Sequence, residues 1–159
     1  MALDQLYQEI LLDHYKQPRN KGVLDDANVR LELKNPFCGD EILLTLRVAD
    51  GFVEDVAFAG SGCVISQASA SLMTEKIKGM RVAQVREMAE QFSELVKTGH
   101  AEAVSAQEDD DLEAFRGVCE FPTRVKCAML AWRTLLQGLE HHEHAHPHPV
   151  ASNPSGAQK

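Results

Sequence analysis

Between Val29 and Phe58 the chain alternates apolar and polar side chains, and on either side its apolar residues recur every three or four positions. Alternation marks strands with one buried face, and the wider spacing marks helices with one buried stripe. Leu3, Leu6, Tyr7, Ile10 and Leu11 predict an amphipathic first helix that ends near Lys16, because Pro18 and Gly22 follow closely. Val29, Leu31 and Leu33 then face one way and Arg30, Glu32 and Lys34 the other, until Asn35-Pro36 breaks the run. Ile42, Leu44, Leu46 and Val48 form a second alternating run, closed by Ala49-Asp50-Gly51, and a third spans Phe52 to Phe58. The glycine-containing connection between them is a hairpin signal. An antiparallel meander with one apolar face needs helices to cover it.

Those helices follow. After Gly60-Ser61-Gly62, Ile65, Ala68, Leu72 and Met73 mark a helix rich in Ala and Ser, and Val82, Val85, Met88, Phe92 and Leu95 mark another. Residues 97–111 read as a solvated connection. A last helix starts near Pro122, a residue suited to the first helical position, with a stripe of Val125, Ala128, Trp132, Leu135 and Leu139. The expectation is an α+β fold: a three-stranded antiparallel meander covered by helices, with an N-terminal helix. It is one domain over residues 1–140, followed by a histidine-rich tail, 141–159, that reads as disordered for want of apolar periodicity.

Composition narrows the classes. The 159 residues suffice for one domain with an ordinary core, and 44% apolar with 25% charged residues is the profile of a soluble protein. A net charge of −8 argues against a nucleic-acid binder and fits better with docking on a protein that offers a basic surface. The N-terminus has no signal-peptide core and no stretch approaches a membrane span, so a cytoplasmic protein is expected. Thiols stay reduced there, and four irregularly spaced cysteines suggest metal or sulfur chemistry more than disulfides.

Three of these cysteines lie at element boundaries: Cys38 in the loop between the first two strands, Cys63 at the turn into a helix, and Cys127 in the second turn of the last helix. Loops and helix starts expose reactive groups, and a helix start favours thiolate over thiol. Each cysteine taken singly reads equally well as a small buried hydrophobe. Jointly, with glycines beside Cys38 and Cys63 that admit close backbone approach, and with Asp40 two residues after Cys38, they form a four-coordinate set for zinc or iron if they converge. Asp40 alone would read as a turn or cap residue. Cys119 has no glycine turn and is set aside.

Several segments resemble, in order, the motifs of the IscU/NifU-like iron–sulfur assembly family. They are Leu6-Tyr7 through Asp13-His14-Tyr15, Pro18-Arg19-Asn20-Lys21-Gly22, Asn35-Pro36 with Cys38-Gly39-Asp40, Gly60-Ser61-Gly62-Cys63, and Lys126-Cys127-Ala128. The resemblance runs from about Leu3 to Leu139. Scaffold members carry histidine where this chain has Lys126, and Glu120-Phe121-Pro122-Thr123 does not reproduce their chaperone-docking segment. The longer stretch between Cys63 and Cys127 is similar to the SufU branch. That resemblance implies a zinc site of Cys38, Asp40, Cys63 and Cys127, with a SufS-type cysteine desulfurase and downstream iron–sulfur assembly proteins as partners, and neither nucleic acid nor membrane. The activity implied is at most that of a sulfurtransferase, a zinc-dependent persulfide acceptor and carrier. The alternative is a scaffold that binds iron and assembles a [2Fe–2S] cluster on the same ligands. A closed four-ligand site is inert, so one thiolate must leave it; Cys38 is the expected sulfur acceptor because a loop moves more readily than a helix. Arg124, three residues before Cys127, reads either as a stabiliser of thiolate or persulfide or as an ordinary surface arginine.

Overall fold

The alternating segments pair in chain order. The computed structural model describes residues 5–36, 39–102 and 110–145. Helix α1 (Gln5–Lys16) precedes strands β1 (Val29–Asn35), β2 (Asp40–Ala49) and β3 (Phe52–Ser61). Next come α2 (Val64–Ile77), α3 (Val82–Thr98), a single turn α4 (Asp110–Glu113), a 3₁₀ turn (Arg116–Glu120) and α5 (Pro122–Ala145). The sheet is antiparallel with β2 in the centre, Val29 opposite Leu46 and Leu44 opposite Phe58. Asp50 and Gly51 both take positive φ, 55° and 79°, between the paired Ala49 and Phe52. A two-residue hairpin of this hand matches the strand twist, and Asp-Gly tolerates it.

One face of the sheet carries Ile42, Leu44, Leu46, Val56 and Phe58 into the core, where α2 and α5 pack. Helix α2 is buried over most of its circumference, which its Ser and Ala residues allow. Ser69 joins it to α5: the hydroxyl donates to the Ala128 carbonyl (2.6 Å) and accepts from Trp132 Nε1 (3.1 Å). Trp132 stacks on Phe92 of α3 at 4.7 Å between centroids, and Phe115 meets Phe92 edge-on. Helix α5 crosses β1 closely at Gly138, where a Cβ would lie 3.0 Å from Val29 Cγ1.

Two segments differ from the sequence expectation. Ala101, Leu112, Ala114, Phe115 and Val118 are buried, so the connection after α3 returns to the core on both sides of residues 103–109, which lie outside the described residues. Their short, irregular turns have no period to read. Helix α5 also runs five residues beyond Glu140, to Ala145, so His141, His142 and His144 are helical. A 2.8 Å pair between Glu143 and Arg86 of α3 ties this extra turn down. The rest of the tail lies outside the described residues.

Candidate metal centre

The centre forms where the β1–β2 hairpin meets the N-termini of α2 and α5. Asn35 and Asp40 are the last pair of the ladder, and Gly39, at φ +74°, donates its N–H to the Asn35 carbonyl (2.8 Å). Phe37 and Cys38 lie between these flanks but outside the described residues. Asp40 is fully buried, and its Oδ1 accepts from the Cys63 backbone N–H at 2.9 Å. That approach requires Gly62, because a Cβ there would sit 2.5 Å from Oδ1. Gly60 is required too: its φ is +125°, and a Cβ would collide with the Glu41 carbonyl across the ladder.

Cys63 is the N-cap of α2, in extended conformation, and its Sγ accepts from Ser66 N at 3.4 Å. The sulfur thereby takes up one of the donors that a helix start leaves open. Cys127 is buried in the second turn of α5, its Sγ 3.7 Å from the Thr123 carbonyl and 3.9 Å from Asn35 Nδ2. A carboxylate oxygen of Asp40 and the sulfurs of Cys63 and Cys127 lie within 4.8 Å of one another. A tetrahedral zinc with ligands at about 2.0–2.3 Å separates its donors by roughly 3.3–3.8 Å, so small side-chain movements close the set. Asp40 Oδ2 is buried with no hydrogen-bond partner among the described residues. An orphaned buried acceptor beside two thiols is the arrangement a cation satisfies.

The structure thus brings together three of the four expected ligands. Cys119 is half-buried against the end of α3, its Sγ 2.8 Å from where a Gly99 Cβ would lie, and is not part of the group. Arg124 and Lys126 are exposed in the first turns of α5. Helix geometry sets Arg124 on the flank of Cys127, three residues on.

A second cluster went unread in the sequence. His14, almost fully buried, meets Ser71 Oγ through Nδ1 (2.8 Å), and the same hydroxyl accepts from Arg19 N (2.9 Å). His14 Nε2 stands 3.7 Å from Glu75, with Asp111 close by. Arg19 pairs with both Glu75 (3.6 Å) and Asp13 (2.7 Å), and Lys76 lies 4.0 Å from Asp111. Burial pushes the His14 imidazole below its ordinary value, and the neighbouring Arg19 adds to this. The hydrogen bond from Arg19 holds the Asp13 carboxyl below its ordinary range. These carboxylates already have cations, so the cluster reads as a latch fixing the turn after α1 on α2. The Asp-His-Tyr and Pro-Arg-Asn segments carried the signal, but nothing local says that they meet Ser71.

The family model described as the NifU-like N terminal domain matches residues 6–147. The chain belongs to this family. Among similar proteins is the Zinc-dependent sulfurtransferase SufU of Bacillus subtilis, 45% identical over 141 residues, 89% of this chain and 94% of the relative. The iron–sulfur cluster assembly scaffold protein IscU of Thermotoga maritima is 43% identical over 140 residues, 88% and 96% of the two chains. A crystal structure of a putative iron–sulfur cluster assembly scaffold protein for the SUF system, from Fervidobacterium islandicum, superposes with a TM-score of 0.77. It is 32% identical and covers 85% of this chain and 97% of its own. These likenesses bear out the three-stranded meander covered by helices and the resemblance to the IscU/NifU-like family. No helix of the described residues is long and apolar enough to cross a membrane.

Proposed function

We propose that this NifU-like protein is a zinc-dependent sulfur acceptor and carrier for iron–sulfur cluster assembly, charged by a cysteine desulfurase of the SufS type and discharged to downstream assembly proteins. The observation that carries it is the buried Asp40 carboxyl within 4.8 Å of the Cys63 and Cys127 sulfurs, its Oδ2 without a hydrogen-bond partner among the described residues. Two thiols and a carboxyl suit redox-inert zinc, and Cys38 would complete a set of four from the adjoining hairpin loop. The likeness to a relative named for zinc-dependent sulfur transfer supports the same reading.

Bound zinc would keep the coordinating thiols deprotonated near neutral pH. The division of labour then follows from where each residue sits. Cys63, fixed as a helix cap, and Cys127, enclosed in α5, hold their positions. Asp40 is pinned by the Cys63 N–H. Cys38, two residues before Asp40 in the sequence, would supply the thiolate that acts as nucleophile. It attacks the outer sulfur of the partner's cysteine persulfide; a new S–S bond forms on Cys38, the partner's S–S bond breaks, and the partner cysteine departs as thiolate. The transferred sulfur keeps its oxidation state, so the step needs no external oxidant. Arg124, on the flank of Cys127, would stabilise the anionic sulfur.

The test combines metal analysis of protein purified without added metal with transfer of ³⁵S from a loaded desulfurase. Roughly one zinc per chain without iron, and label that vanishes in Cys38→Ala, are expected. Full acceleration of the desulfurase by Cys38→Ala would sink the assignment. The likeness to a relative named as a scaffold favours a second reading, in which a [2Fe–2S] cluster is built on the same ligands. Anaerobic reconstitution and transfer of an intact cluster to an apo-protein would favour it over the first; Lys126, where scaffolds carry histidine, stands against it.

A further inference from the structure

The end of α5 concentrates a different donor chemistry. Glu140, His141 and His144 are all exposed there, and His146 and His148 follow in the sequence beyond the described residues. At about 100° per residue, Glu140 and His144 stand roughly 40° apart on the helix surface and His141 and His144 roughly 60° apart, so the three share one stripe. The rotation of this last turn is set by Glu143, which is held by Arg86 of α3 at 2.8 Å. With Glu143 turned towards α3, the stripe of 140, 141 and 144 lies on the other flank, open to solvent. The last carbonyls of a helix have no intrahelical donors, and the negative end of the helix dipole favours a cation there.

We propose that this turn of α5 carries a second cation site, formed by the imidazoles of His141 and His144 with the Glu140 carboxylate, for a borderline transition-metal dication of the zinc class. Imidazole with carboxylate suits such ions and not magnesium or calcium. The site is independent of the thiol centre: His144 lies 17 residues beyond Cys127 on the same helix, about 25 Å away at 1.5 Å per residue. The three donors are not gathered within 4.8 Å in the structure, so the site requires rotation of these exposed side chains to close on the ion. With three protein donors at most and open positions for water, it would hold zinc in a more exchangeable form than buried thiolates do.

The experiment titrates full-length protein, first cleared of metal with a chelator, with zinc by calorimetry, with the histidine ring signals followed by NMR. A second, weaker binding event is expected, with perturbed signals from His141 and His144. In His141→Gln/His144→Gln its affinity should fall by at least about tenfold. In Cys63→Ser the tight event should weaken while the second remains. Absence of a second event, its persistence at full affinity in the double variant, or its loss in Cys63→Ser would each overturn the proposal. Loss of the tight event alone in the wild type would instead sink the zinc reading of the thiol centre.

Discussion

Gly62→Ala isolates the geometry on which the centre depends. The glycine has no positive φ to lose, so alanine costs no backbone strain there. Its Cβ, however, would stand 2.5 Å from Asp40 Oδ1, 3.0 Å from Cγ and 3.1 Å from Cβ. Ordinary contacts begin about 0.5–1 Å further out, so the carboxyl must swing away and lengthen its 2.9 Å bond to the Cys63 N–H. Losing that bond and overpacking the turn should cost about 1–3 kcal/mol of stability. A misplaced ligand of this kind should lower zinc affinity roughly 10- to 100-fold, or about 1.4–2.7 kcal/mol. Competition against a chromophoric chelator measures the affinity, and urea unfolding of the chelated protein measures the stability. Gly79→Ala is the control: φ is +84° and the space around it is open, so it should lose stability through strain and keep zinc affinity. Wild-type affinity in Gly62→Ala would refute the placement of Asp40 as a ligand.

Three further outcomes are expected. Ser69→Ala leaves Trp132 Nε1 and the Ala128 carbonyl without their buried partner and should cost about 2–3 kcal/mol in urea unfolding, a loss below about 0.5 kcal/mol counting against the pin between α2 and α5. His14 has a folded value below its ordinary 6.5, so the unfolded chain takes up its proton first. Its contribution is present above 6.5 and is lost as pH falls through the folded value; at fixed metal state, His14→Gln should therefore show a shallower acid-side loss of stability than the wild type. Chelation should leave the far-UV spectrum in place, because the apolar core is built without Asp40 and Cys63. It should lower stability by about 2.7 kcal/mol if zinc was present at 100 times its dissociation constant; collapse of the fold would instead make the metal a structural staple.

The meander was legible because β2 and β3 are joined by a turn whose residues tolerate positive φ and because apolar and polar side chains alternate along the strands. Cys63 and Cys127 were legible together through their motifs, and Asp40 only by its place after Cys38, which lies outside the described residues. Their meeting depends on register: Asn35 opposite Asp40 and Glu41 opposite Ser61 bring the hairpin end beside the start of α2, and register is a property of the assembled sheet. Gly62 was legible as a glycine that admits close approach, but not that the group it admits is a carboxyl from another strand. The extra turn of α5 was hidden because His and Glu carry no apolar stripe; it is held by Arg86, more than fifty residues earlier. The buried stretch around Leu112 to Val118 was equally silent, its apolar residues being spread over two short turns.

Trp132 is the chain's one tryptophan, and its place between Ser69 and Phe92 gives the protein a built-in optical gauge. Its indole is dry, hydrogen-bonded to α2, stacked on α3 and carried on α5 five residues beyond Cys127. Emission colour and quenching therefore read a single junction of three helices, with no second chromophore of its kind to average over. Any event at the thiol centre that rotates or slides α5 will register there in unlabelled protein, at stopped-flow time resolution. A silent tryptophan during sulfur loading would mean that the helix stands still while the hairpin alone moves.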